Sequence, residues 1–156
     1  MGDAAAVVFR KARLEDLRAI LEMLNEDKVG TVLERIEQPM PRLYTDAFAL
    51  LDADPNQLLL VGEVDGRIAA SLQLSFIPGI AHQAAWRAQV EAVRVARELR
   101  GRGIGEAMMR HVIALARERG CALVQLTTNK ARDDAQRFYR RLGFAASHEG
   151  MKLRLG

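Results

Sequence analysis

Three glycines in five residues, Gly101, Gly103 and Gly105, stand between an apolar alternating run, Val90–Val95, and a helical pattern that begins near Ile104. A strand that passes into a helix through this much glycine leaves several backbone N–H groups unpaired and aimed at one point. The positive end of the helix dipole lies behind them. Such a loop holds an anion, and Arg100 and Arg102 flank it. It also limits the architecture, because a strand, a tight loop and a helix in succession imply a crossover packed on a sheet.

The surrounding patterns fill in that sheet. Val7–Arg10 reads as a short strand. Leu14, Leu17, Ile20, Leu21 and Leu24 recur at helical spacing up to about Glu26. Residues 28–41 are irregular, with Pro39 and Pro41, and a second helix is expected from Arg42 to Leu51. Leu58–Val64 and Arg67–Ile77 flank Asp65-Gly66, a strong hairpin signal. Trp86–Val95 is the next strand. The helix after the glycine loop carries Ile104, Met108, Val112 and Leu115 on one face and stops at Gly120. A strand over Leu123–Thr127 follows, then a helix capped by Asp133 or Asp134 and closed by Gly143, then short strands at Phe144–Ser147 and Met151–Leu155. The order β-α-α-β-β-β-α-β-α-β-β predicts an α/β fold on a mixed sheet. Length and the lack of repeats, linkers or low-complexity tracts fit a single domain over 1–156.

Several classes are not expected. No apolar run approaches the roughly 18 residues of a membrane span. The first residues lack the basic and apolar pattern of a signal peptide. Cys121 is the one cysteine, so no intrachain disulfide forms and a cytoplasmic setting is expected. Charge is divided unevenly. Residues 1–93 hold 9 Lys/Arg against 14 Asp/Glu, a net of −5, and residues 94–156 hold 14 against 6, a net of +8. A basic half raises nucleic acid as a partner, but aromatics are 5% of the chain and no nucleic-acid recognition motif is present, so none is expected. The division fits a polyanion on the second half and a cationic partner facing the first, with solvated helix faces as the plain alternative.

The loop is neither of the commonest nucleotide motifs. G-x-x-x-x-G-K-[ST] fails for want of the lysine, and G-x-G-x-x-G fails because Glu106 stands at the third glycine. What remains is R-x-x-G-x-G between strand and helix. With Val93-Arg94-Val95 before it, this stretch resembles the acetyl-CoA-binding motif of the GNAT N-acetyltransferase family. A second family motif is similar to residues 135–144, which include Phe138, Tyr139 and Gly143. Residues 129–139, with Ser147-His148, look like the aminoalkylphosphonate N-acetyltransferase branch.

The resemblance implies a twisted, mostly antiparallel sheet with a central splay between the strand ending at Val95 and the next one. It implies acetyl-CoA as cosubstrate, and no metal is called for. Backbone N–H groups of Gly101, Gly103, Ile104 and Gly105 would wrap the pyrophosphate, with charge from Arg100 and Arg102. Val93 and Val95 would pair with the pantetheine amides in the manner of an added strand. Phe138 belongs to the same expected coenzyme site. Where many members carry an asparagine seven residues before the tyrosine, this chain has Arg132, and Asn129 lies three residues earlier; either is a candidate coenzyme contact.

The implied reaction is direct attack of an amine on the thioester. Tyr139 is the candidate acid for the departing thiolate; its phenol, near 10, is roughly matched to a thiol near 8.5. Glu91, just before the expected splay, is the candidate base through a water, its pKa expected to rise by burial in a cleft. Its alternatives are a solvated strand glutamate or a salt bridge to Arg87 or Arg94. His148, Glu149 and His82 are rival bases, and His111 reads as structural. The acceptor is expected to be a small-molecule primary amine, selected by residues 28–44 and 78–86. Trp86 and Phe76 are candidate pocket residues, with core packing the commoner role for each, and Asp27, Glu34 and Glu37 are candidate attractors of a cation, with a solvated helix face as the default. A non-catalytic acyl-CoA sensor and a protein or peptide N-acetyltransferase are the other readings. Many family members dimerise through their terminal strands, and a homodimer is open here.

Overall fold

At Asp65-Gly66 the backbone takes φ values of 50° and 75°, the paired left-handed residues of a type I′ turn, which matches the twist of the strands it joins. The computed structural model describes residues 6–26 and 32–156. The turn links β2 (Gln57–Val64) to β3 (Arg67–Ile77), antiparallel from Val64 opposite Arg67 to Gln57 opposite Ser75. β1 (Val8–Lys11) pairs antiparallel with β2, and β4 (Trp86–Val95) pairs antiparallel with β3. β5 (Cys121–Leu126) completes a sheet of order β1-β2-β3-β4-β5. A 3-10 turn (Leu14–Asp16), α1 (Leu17–Glu26) and α2 (Arg42–Ala53) lie between β1 and β2. A single turn, α3 (Ala81–Ala84), precedes β4, with left-handed dihedrals at His82 and Gln83. A second 3-10 turn (Arg97–Leu99) and α4 (Ile104–Glu118) connect β4 to β5, and α5 (Asp133–Arg141) follows.

The chain falls into two units, Met1–Gln125 and Leu126–Gly156. The first carries the sheet, apart from the last residue of β5, and α1 to α4. Its core has two sides. α4 packs on β3 and β4, and Ile104, Met108, Met109 and Val112 are buried, as are Leu60, Leu72, Leu74, Ala88 and Val90 of the strands. On the other face Val61 packs with Ile20 and Ala12, joined by Leu24, Phe48 and Leu59. The helical spacing of Leu17, Ile20, Leu21 and Leu24 is what turns one side of α1 to this cluster.

A partly buried ionic knot fixes the start of α1 to the sheet edge. Arg10 of β1 donates to both carboxylate oxygens of Asp16, at 2.7 and 3.0 Å, and to Glu63 of β2 at 2.9 Å. Asp16 also accepts the Arg13 N–H at 2.7 Å, closing the 3-10 turn. Two acids around one guanidinium raise the Arg10 pKa, and Arg10 holds the Asp16 carboxyl below its usual range.

The second unit departs from the expected chain order. No strand forms at Phe144–Ser147 or Met151–Leu155. Met151, Leu153 and Leu155 alternate as a strand would, but they are more than four-fifths exposed, and alternation makes a strand only where a ladder is available to pair with. The α5 cap differs as well. Arg132 is its N-cap residue, with no side-chain cap bond, and Asp133 and Asp134 fall inside the first turn, where their charge suits the dipole. Gly120 and Gly143 end their helices with φ of 73° and 97°, as expected.

Asp16→Asn is expected to destabilise the protein by about 2–3 kcal/mol at neutral pH, by leaving Arg10 under-compensated. The folded Asp16 is more acidic than the unfolded one, so its stabilisation is present above about pH 4 and lost as pH falls through the folded value. Urea titrations across that range should show the variant with a flatter acid slope than wild type.

Candidate active site

β4 contains one residue more than β3 can pair. Gln73 faces Glu91, yet Ser71 faces Arg94, and the surplus is taken up at Ala92, which adopts φ of 54°. This β-bulge reverses the alternation of β4. Gln73 and Ser71 are two apart and share a face, so Glu91 and Arg94 share it too, although three residues apart. Ala92 gives no sequence signal for such a site, because a bulge is defined by mismatch with a partner strand.

Beyond the bulge lie Val93 and Val95, both half-buried. The α4 crossover returns the chain to the N-terminal end of β4. Gln125, next to last in β5, donates to Gln89 at 2.7 Å. β5 therefore stops beside the first half of β4, and Val93–Val95 run past it. Their carbonyls are not vacant, contrary to expectation. Val93 O accepts from Arg94 Nη1 at 2.8 Å, and Val95 O from Arg100 Nε at 3.0 Å. A guanidinium in reach of an orphan carbonyl supplies the donor that the missing strand does not.

Arg100 thus acts first as a strut. Its Nη2 lies 3.6 Å from Glu26 Oε2, the oxygen that also accepts the Arg97 N–H at 2.9 Å, and Arg97 donates back to the Glu26 carbonyl. The end of α1 and the end of β4 are tied together just ahead of the glycine loop. Sequence reading missed Glu26, which is 71 positions from Arg97.

Gly101 and Gly103 adopt φ of 77° and 79°, and a Cβ on either meets nothing within 4 Å, so backbone conformation and not space demands glycine. Gly103 is the N-cap of α4, and no side chain caps the first-turn donors. Glu106 would oppose an anion there, but Arg110 draws its carboxylate down the helix, with contacts of 3.0 and 2.8 Å. Arg102 is exposed and has no side-chain partner among the described residues. Uncapped donors, left-handed glycines and a disengaged arginine form an anion cradle that fits a pyrophosphate.

Glu91 is exposed, so the burial expected to raise its pKa is absent; its side chain has no ion pair or hydrogen bond among the described residues. His111 stacks on Phe9 at 4.9 Å, a packing role. Phe76 and Trp86 face away from Glu91. Phe76 is opposite Ala88, one step out of phase with Gln73 and Ser75, and Arg119 lies over its ring at 4.2 Å. Glu34 and Glu37 already have partners: Glu34 accepts the Tyr44 hydroxyl at 2.7 Å, and Arg35 holds Glu37 at 2.8 Å and lowers its pKa. Burial and Glu34 raise the Tyr44 phenol. Asp27 lies outside the described residues.

In the second unit, Tyr139 is half-buried and edge-on to Phe138 at 5.1 Å and Phe144 at 5.8 Å. Asn129 Oδ1 accepts the Ala131 N–H at 2.9 Å, an Asx turn leading into α5. Ser147 Oγ meets His148 Nδ1 at 2.7 Å, and Glu149 pairs with Lys130. His82, in the first unit, is exposed on α3.

The sequence profile of the acetyltransferase (GNAT) family matches residues 17–144. The chain belongs to the GNAT family. It is thereby an acyl-CoA-dependent N-acetyltransferase. It is 35% identical over 109 residues to an aminoalkylphosphonate N-acetyltransferase of Salmonella typhimurium, covering 67% of this chain and 68% of that one. It is 38% identical over 96 residues to a streptothricin acetyltransferase of Streptomyces lavendulae, covering 60% and 47%. A crystal structure from Bacillus halodurans C-125, described as a transcriptional regulator, superposes with a TM-score of 0.92 at 43% identity, covering 96% of this chain and all of that one. Among the described residues, no helix is long and apolar enough to cross a membrane.

Gly103→Ala should destabilise the GNAT domain by roughly 1–2 kcal/mol through φ strain alone. Denaturant midpoints would measure this, and Gly62→Ala, whose Cβ meets Phe9 at 3.0 Å on a backbone without positive φ, would show the effect of crowding by itself.

Proposed function

We propose that this protein moves an acetyl group from acetyl-CoA to the primary amine of a small molecule by direct attack, as one acetyltransferase domain over 1–156 in the cytoplasm. The observation that carries the reading is the loop Arg100–Gly105, whose first-turn donors have no side-chain cap and whose Arg102 is disengaged. Pyrophosphate oxygens match the N–H groups of Gly101, Gly103, Ile104 and Gly105 and the guanidinium of Arg102. Val93 and Val95 offer strand-like backbone to the pantetheine amides, with Arg94 and Arg100 yielding their carbonyls where needed. The small-molecule acceptor is supported by the names of the two curated relatives.

Glu91 takes the proton of the incoming ammonium through a water. The amine nitrogen bonds to the thioester carbonyl carbon, the carbon–sulfur bond breaks, the Tyr139 hydroxyl protonates the departing thiolate, and the phenolate so formed takes back the second proton that the nitrogen loses as it becomes an amide. Glu91 is preferred over Glu149 as base because Glu149 is held by Lys130.

The test is release of free thiol from acetyl-CoA with a panel of amino acids, polyamines, aminoglycosides, aminoalkylphosphonates and peptides. With an active amine, Tyr139→Phe and Glu91→Gln should each lower kcat on the order of 10²-fold. Arg102→Ala should raise the acetyl-CoA KM about tenfold with kcat little changed. Full turnover in both catalytic variants would reject these roles.

A further inference from the structure

We infer that the sheet face carrying Glu91 is an acceptor shelf of side-chain amides that selects amines bearing several hydroxyl groups; this rests on the acetyl-transfer reading above. Strand register assembles the shelf. Gln57 is opposite Ser75, Ser75 is opposite Gln89, and Gln73 is opposite Glu91. Directly opposed residues share a face, as do residues two apart on one strand. Gln125 of β5 joins the row through its bond to Gln89. A polar row therefore crosses four neighbouring strands, and the proposed base Glu91 shares its face on β4.

The chemistry of the row is specific. Gln57 Oε1 accepts from Ser75 Oγ at 2.8 Å and from Gln73 Nε2 at 3.3 Å, and Gln89 Oε1 accepts from Gln125 Nε2 at 2.7 Å. These bonds orient the amides and use one end of each. Among the described residues, the opposite ends have no protein partner: Nε2 of Gln57 and Gln89, and Oε1 of Gln73 and Gln125. The four glutamines are half-buried residues. Two donors and two acceptors along one row match hydroxyl groups, each of which donates and accepts. An apolar amine would displace water from these amides without replacing its hydrogen bonds, and a site built this way rejects the analogue that lacks the hydroxyl. The row itself is uncharged, and Glu91 supplies the carboxylate for the ammonium end.

Glucosamine and cyclohexylamine place an amine on six-membered rings with and without hydroxyls. Calorimetric titration of each into the protein with coenzyme A present should show glucosamine bound about tenfold tighter. Gln57→Met, Gln73→Met and Gln89→Met keep side-chain length while removing the amide, and each should reduce that ratio about three- to tenfold. A wild-type ratio near one, or a ratio unchanged in all three variants, overturns the shelf. Thiol release with the same amines tests the reaction separately. Selective binding with no turnover of any amine in the panel above would reject acetyl transfer to small amines and retain the shelf, whereas turnover without binding preference would reject the shelf and retain acetyl transfer.

Discussion

β4 has to pair with β3 along one side and carry the segment proposed to bind coenzyme beyond the end of β5, and the residue that reconciles these demands is Ala92. Its φ of 54° inserts one unpaired position between Glu91 and Arg94. A left-handed alanine is strained by roughly 1 kcal/mol, a cost that the surrounding ladder must offset. In return the two charged residues face the same way, and Val93 and Val95 follow on a reoriented strand. Without the bulge Arg94 would turn to the α4 side, among the buried residues that pack there.

Charge around the glycine loop is arranged by side chains that do not touch the proposed phosphate site. Glu26 holds Arg97 and faces Arg100, and Arg110 draws Glu106 away from the N-terminus of α4. These contacts leave the backbone donors and Arg102 as the exposed positive features. The basic character of residues 94–156 is therefore less informative than the disposition of a few groups, because Arg94 and Arg100 are committed to strand carbonyls.

Much of this was legible along the chain. Asp65-Gly66, Gly101, Gly103, Gly120 and Gly143 announce backbone conformations that few other residues adopt, and all six residues have positive φ. β3 and β4 have the bounds their apolar patterns predict. The errors share a cause. The alternation at Met151–Leu155 reads as a strand because periodicity cannot reveal whether a partner is present. Phe76 and Trp86 read as pocket residues because aromatic side chains near a loop carry no mark of which sheet face they occupy. Glu34 and Glu37 read as cation attractors or solvated helix residues, and their actual partners, Tyr44 and Arg35, depend on the path of an irregular segment.

By itself the sequence determined the family, the left-handed glycines of the loop before α4, the hairpin and the helix stops, since each rests on local backbone preference or a motif within a few residues. Tertiary structure alone decided which groups meet. The Glu26–Arg97 clasp and the Arg10–Asp16–Glu63 knot close over long separations, and the Gln57, Gln73, Gln89 and Gln125 row exists only once four strands are in register. The physical reason is that a hydrogen-bond partner is set by register and face, and a single bulged residue changes both.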